Sequence, residues 1–204
     1  MEQIIFLKLL LNFKMKRLLL FIYLISLSHG ISYSQELSVP VNNQLQIFNK
    51  IIFSNKQLIM KAGNSIEVCI VYQKKYRLSS EIKSQALSFI EENNSLKELG
   101  NMKIYFNILS IENENTLDSY LTANKVDIIM VTPLRTIDIV QLAKVTRKHN
   151  VLSFSFIPDY IESGLSVGIG SKAGRPQILI NFKASKEEGV EFNSQLLKLS
   201  KIVD

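Results

Sequence analysis

The chain has 204 residues, of which 24 are Lys or Arg, 18 are Asp or Glu and one is Cys. The single cysteine, Cys69, excludes a disulfide within the chain and therefore a small disulfide-stapled scaffold. Residues 1–34 contain four of the basic and one of the acidic residues, which leaves 20 against 17 in residues 35–204. This excess is too small and too dispersed to be the footprint of a nucleic-acid-binding protein.

The start of the chain has the three parts of a secretory signal peptide. Lys16 and Arg17 precede an apolar run at residues 18–27, and the small residues of "SYS" follow at 32–34. We expect residues 1–34 to be the signal peptide, with translation starting at Met1 or Met15, and residues 35–204 to be one exported domain. A permanent anchor is disfavoured because the apolar run is too short to span a bilayer. The sequence therefore predicts a periplasmic protein without a stable membrane span after cleavage.

Residues 44–158 alternate between helical and strand-like patterns. The apolar spacing of residues 44–61 predicts a helix capped by Asn43, and residues 78–100 a helix capped by Ser79 or Ser80. Two further helices are predicted over residues 115–125 and 136–150. Four strands are predicted at residues 65–73, 102–111, 126–133 and 151–158.

This alternation is the signature of right-handed crossovers over a parallel sheet with helices on both faces. The unbroken apolar run of "VDIIMVTP" at residues 126–133 suits a central strand that is buried on both sides. The sequence therefore predicts an α/β domain with three layers, helix, sheet and helix, around a mostly parallel sheet.

The pattern changes after residue 164. "LSVGIG" and "PQILINF", joined by "SKAGR", predict an antiparallel hairpin at the edge of the sheet. A last helix is predicted from Ser185, with Glu188 three residues later in the spacing of a capping box.

Gly168, Gly170 and Ala173 match the spacing of a dinucleotide-binding motif, but that motif requires a helix to follow directly. Here a strand follows, so we expect the small residues to let the hairpin lie close to its neighbour.

Other catalytic or metal sites are not expected in residues 35–204. His149 is the only histidine there and Cys69 the only cysteine, which is too few ligands for a zinc site. Cys69 lies in a strand-like run and is expected to be a buried small hydrophobe. Without a serine-nucleophile motif, we predict no catalytic residues, no metal and no cofactor. The acidic pair Glu187 and Glu188 is expected to be solvated or to complement a helix dipole.

The candidate binding residues follow the predicted strands, because ligands of open α/β sheets bind beyond the strand carboxyl ends. They are Tyr72, Lys74, Thr132, Pro133, Pro158, Asp159, Tyr160 and Ile161. We expect Tyr160 and Ile161 to be an exposed aromatic and aliphatic pair that anchors an interface. The alternative is that Tyr160 only covers the edge of the sheet. Lys74 belongs to a basic loop that either contacts an anionic ligand or is simply solvated.

The stretch "IESGLSVGIGSKAGRPQILINFKASKEEGVEFNSQLLKLSKIV" resembles the C-terminal signature of the YfiR family. "QIFNKIIFSNKQL" is similar to the first helix of that family and "VDIIMVTP" to its central strand, so the resemblance covers residues 43–203. It implies a non-enzymatic periplasmic regulator that restrains an inner-membrane diguanylate cyclase. The paired glycines of the family are Ser163 and Gly164 here, and its redox-active cysteines have no counterpart beyond Cys69, so redox control is not expected.

Two functions therefore remain open. One is a regulator that binds the periplasmic part of an inner-membrane signalling protein, a diguanylate cyclase or a sensor kinase. The alternative is a periplasmic module that binds a small solute for a transporter or kinase. The oligomeric state stays open, with a homodimer among the options.

Overall fold

A computed structural model describes residues 37–203. The predicted signal peptide, residues 1–34, lies outside these residues. The helices are α1 (Val41–Phe53), α2 (Lys56–Ala62), α3 (Arg77–Glu92), α4 (Glu114–Ala123), α5 (Ile139–His149), α6 (Asp159–Glu162), α7 (Phe182–Glu187) and α8 (Ser194–Leu199). The strands are β1 (Ser65–Tyr72), β2 (Glu98–Leu99), β3 (Met102–Ser110), β4 (Ile128–Val131), β5 (Leu152–Ser155), β6 (Val167–Lys172), β7 (Arg175–Asn181) and β8 (Lys201–Val203).

The strands of residues 37–203 form one mixed sheet in the order β2-β3-β1-β4-β5-β6-β7-β8. Neighbouring strands from β3 to β6 are parallel, whereas β2 with β3 and β6 with β7 are antiparallel. This arrangement confirms the predicted mostly parallel sheet. It also places β4 in the interior of the sheet, as its apolar run predicts.

The sheet separates two apolar layers, which confirms the three-layer architecture. From β4, Ile128 and Met130 point into the layer that contains α1 and α3. The alternate residues Ile129 and Val131 point into the layer that contains α4 and α5. All four side chains are fully buried, and each contributes about 1.5–3 kcal/mol of burial free energy.

Two helix starts differ from the prediction. The first helix begins at Val41, so Asn43 lies inside its first turn, and the chain breaks at Ser54 before α2 begins. Asn55 instead caps α2, because its side chain accepts a hydrogen bond from the backbone N–H of Leu58 at 3.0 Å. The prediction that Ser79 or Ser80 caps α3 is wrong as well, since that helix begins at Arg77.

The hairpin of β6 and β7 is confirmed, and its turn is shorter than predicted. Lys172 pairs with Arg175, so the turn consists of Ala173 and Gly174 alone. Both residues have a positive φ, 50° and 73°, which is the conformation of a tight hairpin turn that matches the twist of the strands. The hairpin does not form the edge of the sheet, because β8 pairs with β7 on its outer side.

The single helix predicted from Ser185 is two short helices, α7 and α8, followed by β8. Gly189 interrupts it with a φ of 74°, and Asn193 caps α8 by accepting from the backbone N–H of Leu196 at 2.8 Å. Glu188 does not form the capping box. It is buried in the fold, as described below, because tertiary contacts outweigh the local pattern at this position.

A helix long and apolar enough to cross a membrane is not found in residues 37–203.

Candidate functional site

The candidate site lies at the carboxyl ends of the parallel strands and comprises three of the loops that leave the sheet there. These loops are residues 73–76 after β1, 132–138 after β4 and 156–158 after β5. The predicted site residues are therefore brought to one edge of the sheet, which we call the carboxyl edge. Of these residues, Lys74 and Asp159 are exposed, Tyr72 and Pro158 are half-buried, and Thr132, Pro133, Tyr160 and Ile161 are buried.

A buried group of polar side chains, the carboxyl-edge cluster of Gln73, Ser79 and Thr132, fixes these loops. The hydroxyls of Ser79 and Thr132 are 2.7 Å apart. Ser79 Oγ accepts from the backbone N–H of Gln73 at 2.8 Å, and Thr132 Oγ1 donates to the carbonyl of Val71 at 3.0 Å. These bonds tie the first turn of α3 to the ends of β1 and β4. They explain why Ser79 is buried rather than a helix cap.

The loop after β4 is held from both sides. Gln73 Oε1 accepts from the backbone N–H of Arg135 at 2.8 Å. The Tyr160 hydroxyl accepts from the N–H of Leu134 at 2.8 Å and donates to its carbonyl at 3.1 Å. Thr136, in the same loop, has a φ of 64°, which is uncommon outside glycine and marks a conformation that these contacts hold.

The prediction that Tyr160 and Ile161 are exposed is wrong. Their side chains are 5% and 0% exposed, and both belong to the apolar layer on the α5 side of the sheet. The short helix α6 turns them inward, and the sequence pattern gave no sign of this one-turn helix. Tyr160 supports the loop after β4, which agrees with the alternative interpretation that it covers the edge of the sheet.

The exposed part of the carboxyl edge is formed by charged side chains. Lys75 pairs with Glu112 at 3.5 Å and Arg77 with Glu81 at 2.6 Å. The ion pairs of the described residues include neither Lys74 nor Arg135. These two cations are therefore available to a partner.

Aromatic rings and a shallow depression adjoin these charges. The Arg135 guanidinium lies over the ring of Tyr76 at 5.1 Å, and the ammonium of Lys83 lies over that of Tyr72 at 5.0 Å. Beside them, Lys74, Ser80 and Gln85 line part of a depression of about 520 Å³.

The remaining reactive groups lie elsewhere. Burial raises the pKa of Cys69 to about 12, so its thiol stays protonated and unreactive at neutral pH. His149, at the end of α5, contacts the carboxylate of Asp118 at 2.7 Å. Within residues 37–203, no group of three His, Cys, Asp or Glu side chains could hold a metal ion.

Sequence analysis missed a second buried polar cluster, centred on Glu188. The Glu188 carboxylate accepts from the hydroxyls of Thr146 at 2.6 Å, Ser153 at 2.7 Å and Ser166, and from the backbone N–H of Ser153 at 2.9 Å. All four residues are fully buried. Burial raises the pKa of Glu188, although the hydrogen bonds oppose this shift. Gly189, directly after it, is the one local signal that the predicted helix could not continue.

The packing of the glycines agrees with the rejection of a nucleotide motif. A Cβ on Gly168 would lie 2.8 Å from Cγ1 of Ile161, and one on Gly170 would lie 3.1 Å from Cδ1 of Leu179. Both glycines lie within β6 and are buried. Their lack of a side chain is required for close packing.

Solved structures with a similar fold include three whose alignment covers 81% of this chain and 60% of the other chain. A conserved domain protein from Vibrio cholerae has a TM-score of 0.56 at 12% identity. An ABC domain in complex with L-Trp from Streptococcus pneumonia has a TM-score of 0.55 at 14% identity. A ligand-free, open substrate-binding protein with adhesive properties from Clostridium difficile has a TM-score of 0.52 at 14% identity. The chain thus spans about 60% of the length of these proteins, and the likeness concerns the fold.

Among curated proteins, none matches the sequence. The sequence model of one family, described as YfiR/HmsC-like, matches residues 60–201, which is most of the chain and includes the strands that form the carboxyl edge. This match confirms the resemblance seen in the sequence. The chain therefore belongs to the YfiR/HmsC-like family, a family of periplasmic regulatory domains.

Proposed function

We propose that this protein is a non-enzymatic regulator that binds the periplasmic part of an inner-membrane signalling protein through its carboxyl edge. The signalling protein would be a diguanylate cyclase, and the regulator would then act in cyclic-di-GMP signalling, or a sensor kinase. Family membership supports a regulatory role in the periplasm. The observation that carries the proposal is the pair of uncompensated cations, Lys74 and Arg135, on loops that a buried cluster holds in place.

The predicted site residues divide into two roles in this proposal. Lys74 and Asp159 are exposed and would contact the partner, together with the neighbouring Arg135. Thr132, Pro133, Tyr160 and Ile161 are buried and would hold the loops in the binding conformation. Tyr72 and Pro158 lie between these groups and would form the floor of the surface. Loops on a rigid scaffold are where recognition usually occurs.

A charge reversal tests this proposal. The double variant Lys74→Glu with Arg135→Glu changes two exposed side chains, and Lys103→Glu with Lys183→Glu is a matched control at exposed positions outside the carboxyl edge. Each tagged protein is purified from envelope extracts, and the proteins that co-purify are identified. We expect a membrane protein with a cyclase or kinase domain to co-purify with the wild type and the control, and to be lost with Lys74→Glu and Arg135→Glu. Its retention by that variant, or its absence from the wild type, would refute the proposal.

A second candidate function is the binding of a small solute. The similar fold of two solved structures favours it, since one is described as an ABC domain in complex with L-Trp and the other as an open, ligand-free substrate-binding protein. Isothermal titration of the purified protein with amino acids, L-Trp among them, separates the two functions. Saturable binding that is lost with Lys74→Glu and Arg135→Glu would support the solute module and would replace the regulator proposal if no membrane protein co-purifies.

We also propose that the chain is exported, with residues 1–34 removed as a signal peptide and residues 35–204 forming the mature domain. Mass spectrometry of the envelope fraction is expected to show an N-terminus near Gln35. An intact chain in the cytoplasm would contradict the proposed compartment. Sedimentation of the mature protein would show whether it is a monomer or a homodimer.

A further inference from the structure

The outer side of β3 is open over most of its length. On that side β3 pairs only with the two-residue strand β2, through residues 102 and 103. On its other side it pairs with β1 over residues 103–110. Within residues 37–203, residues 104–110 of β3 therefore have a strand neighbour on one side alone, which makes this segment an open edge of the sheet.

The backbone hydrogen bonds show which residues of this segment point outward. The N–H of Ile111 donates to the carbonyl of Tyr72, on β1, at 2.8 Å. The N–H of Ile104 instead donates to the carbonyl of Lys97, on the outer side, at 2.7 Å. The backbone groups of a strand alternate between its two sides from one residue to the next. The residues that direct both their N–H and their C=O away from β1, into the open edge, are therefore Phe106, Ile108 and Ser110.

The open edge has exposed apolar side chains on both faces of the sheet. Tyr105 is 49% exposed and Ile108 is 50% exposed. Successive residues of a strand point to opposite faces, so these two side chains lie on opposite faces of the sheet. Residues 104–110 contain no charged residue, no proline and no glycine. Strand edges that stay unpaired usually carry a charge, a proline or a bulge, so this segment has the composition of a strand that is paired.

We infer that β3 pairs with β3 of a second copy of this chain, antiparallel and about a two-fold axis at Ile108. In this register Ile108 faces its own counterpart, and Phe106 faces Ser110 of the second copy. Each of these three outward residues then exchanges an N–H and a C=O with the residue opposite it. The two eight-stranded sheets become one continuous sheet, and the contact closes on itself as a dimer. The inference does not depend on the proposed function, because residues 106–110 lie outside the three loops of the carboxyl edge.

The ends of the open edge select this register. β2 covers the beginning of β3, and the N–H of Ile104 already donates within the chain. An axis at Asn107 would pair Ile104 with Ser110 and compete for that N–H, whereas the axis at Ile108 uses residues 106–110 alone. Because β3 ends at Ser110, the strand of the second copy stops before it reaches β2.

The charges that flank the open edge favour a second, antiparallel copy as the occupant. Lys103 precedes the uncharged segment and Glu112 follows it. Antiparallel pairing brings the Glu112 end of one strand to the Lys103 end of the other, so opposite charges approach each other across the interface. Lys103 forms no ion pair among the described residues, although Glu98 lies opposite it on β2. Glu112 contacts Lys75 at 3.5 Å, and its side chain remains 52% exposed. A second copy supplies this charge pattern together with the apolar strand, whereas a strand of another protein has to bring both separately.

The oligomeric state of the purified mature protein tests the inference. Sedimentation equilibrium is expected to show a reversible dimer of the wild type. Ile108→Lys places two ammonium groups opposite each other at the axis, which is expected to raise the dissociation constant of the dimer at least about tenfold. The matched control is Val140→Lys, at an apolar residue of α5 that is 47% exposed, and it is expected to dimerise like the wild type. Circular dichroism checks that both variants are folded.

Cross-linking tests the register separately. Ile108→Cys is expected to give a covalent dimer with a bismaleimide of short reach, because the two introduced thiols lie at the axis. Lys103→Cys is the control on the same strand. Its two copies lie about ten strand residues, or about 34 Å, apart and are not expected to cross-link. The native Cys69 does not compete for the reagent, since it is fully buried.

Each of the opposite results would overturn the inference. A wild type that remains monomeric at every concentration tested would exclude pairing between copies. If the membrane protein that co-purifies with such a monomer is lost with Ile108→Lys, the open edge binds a strand of that protein instead. A dimer that Ile108→Lys leaves intact uses another surface. A dimer in which Ile108→Cys does not cross-link, or in which Lys103→Cys does, has a different register.

Discussion

The two buried polar clusters lie toward opposite ends of the parallel strands and are built differently. The carboxyl-edge cluster joins neutral groups, the hydroxyls of Ser79 and Thr132 and the amide of Gln73. The Glu188 cluster joins three hydroxyls and one backbone N–H to a single carboxylate. The ion pairs of the described residues do not include Glu188, so hydrogen bonds alone compensate its burial.

This difference determines how many hydrogen bonds each cluster loses when one of its residues is substituted. In the neutral cluster, neighbouring groups keep a second partner: the Val71 carbonyl also accepts from the N–H of Thr132 at 3.1 Å. In the Glu188 cluster, four hydrogen bonds converge on a single side chain. The first cluster can therefore lose one bond at a time, whereas the second depends on one residue.

The largest effect is expected for Glu188→Ala. The substitution removes the acceptor of four hydrogen bonds and leaves the N–H of Ser153 buried without a partner, which costs about 3 kcal/mol of unfolding free energy. Urea denaturation measures this loss. The control is Glu187→Ala at the neighbouring residue, whose carboxylate is 41% exposed and pairs with Arg147 at 2.7 Å, with an expected loss of about 0.5 kcal/mol after solvent screening. Equal stability of the two variants would break the comparison.

Thr132→Val tests the neutral cluster with a side chain of similar shape. It removes the bonds to Val71 and Ser79, but both partners keep another hydrogen bond, so the expected loss is about 1 kcal/mol. The same urea titration measures it. A loss as large as that of Glu188→Ala would show that the neutral cluster is not redundantly bonded.

The pH dependence of stability is expected to separate Glu188 from the neutral cluster. Burial raises the pKa of Glu188 above its ordinary value of 4.5, so the folded protein binds a proton more readily than the unfolded chain. The contribution of this raised pKa to the free energy of unfolding is therefore fully present below about pH 4.5. It is lost as the pH rises through the pKa of Glu188 in the folded protein. Glu188→Gln keeps the shape of the side chain and one acceptor oxygen but cannot titrate. We expect it to remove this loss of stability with rising pH.

The measurement is the difference in unfolding free energy between wild type and Glu188→Gln across the acidic and neutral pH range. Thr132→Val serves as the control, since it changes no titrating group and should shift the curve uniformly. A wild-type curve parallel to that of Glu188→Gln would contradict the raised pKa.

The smallest effect is expected for Asp118→Asn on the protein surface. Hydrogen bonds from Lys148, and then from His149, hold the pKa of Asp118 below its ordinary value of 3.8. This contribution has the opposite sign to that of Glu188: it is present above about pH 3.8 and is lost as the pH falls through the folded pKa. The melting temperature of Asp118→Asn should be slightly lower than that of the wild type at neutral pH and equal to it in strong acid. A lower melting temperature in strong acid as well would point to a packing defect.

The accuracy of the sequence predictions followed the range of the interactions involved. β1 and β4 were predicted correctly because continuous apolar runs reflect burial on both faces, and the hairpin was predicted because its turn residues act locally. Glu188 has the local spacing of a capping box with Ser185, but partners 22 to 42 residues away decide its position. Sequence spacing carries no information about such partners.

The carboxyl edge shows the same limit at the level of single side chains. The order of strands and helices placed Tyr72, Lys74, Thr132 and Asp159 at one edge correctly. It could not show that Tyr160 turns inward to bond Leu134, since a single turn of helix has too few residues for a detectable period. Sequence analysis did not single out Arg135 as an exposed cation. Its loop follows β4, a strand whose residues are all buried.

The short strand β8 has a consequence for how the protein behaves in a crowded compartment. A long bare strand edge is a template for pairing with other chains, and β8 covers residues 179–181 of β7 with only three residues of its own. The uncovered part of β7 begins with Arg175 and Pro176, a charge and a residue that lacks an N–H. This margin of the sheet is thereby protected against edge-to-edge aggregation at high concentration.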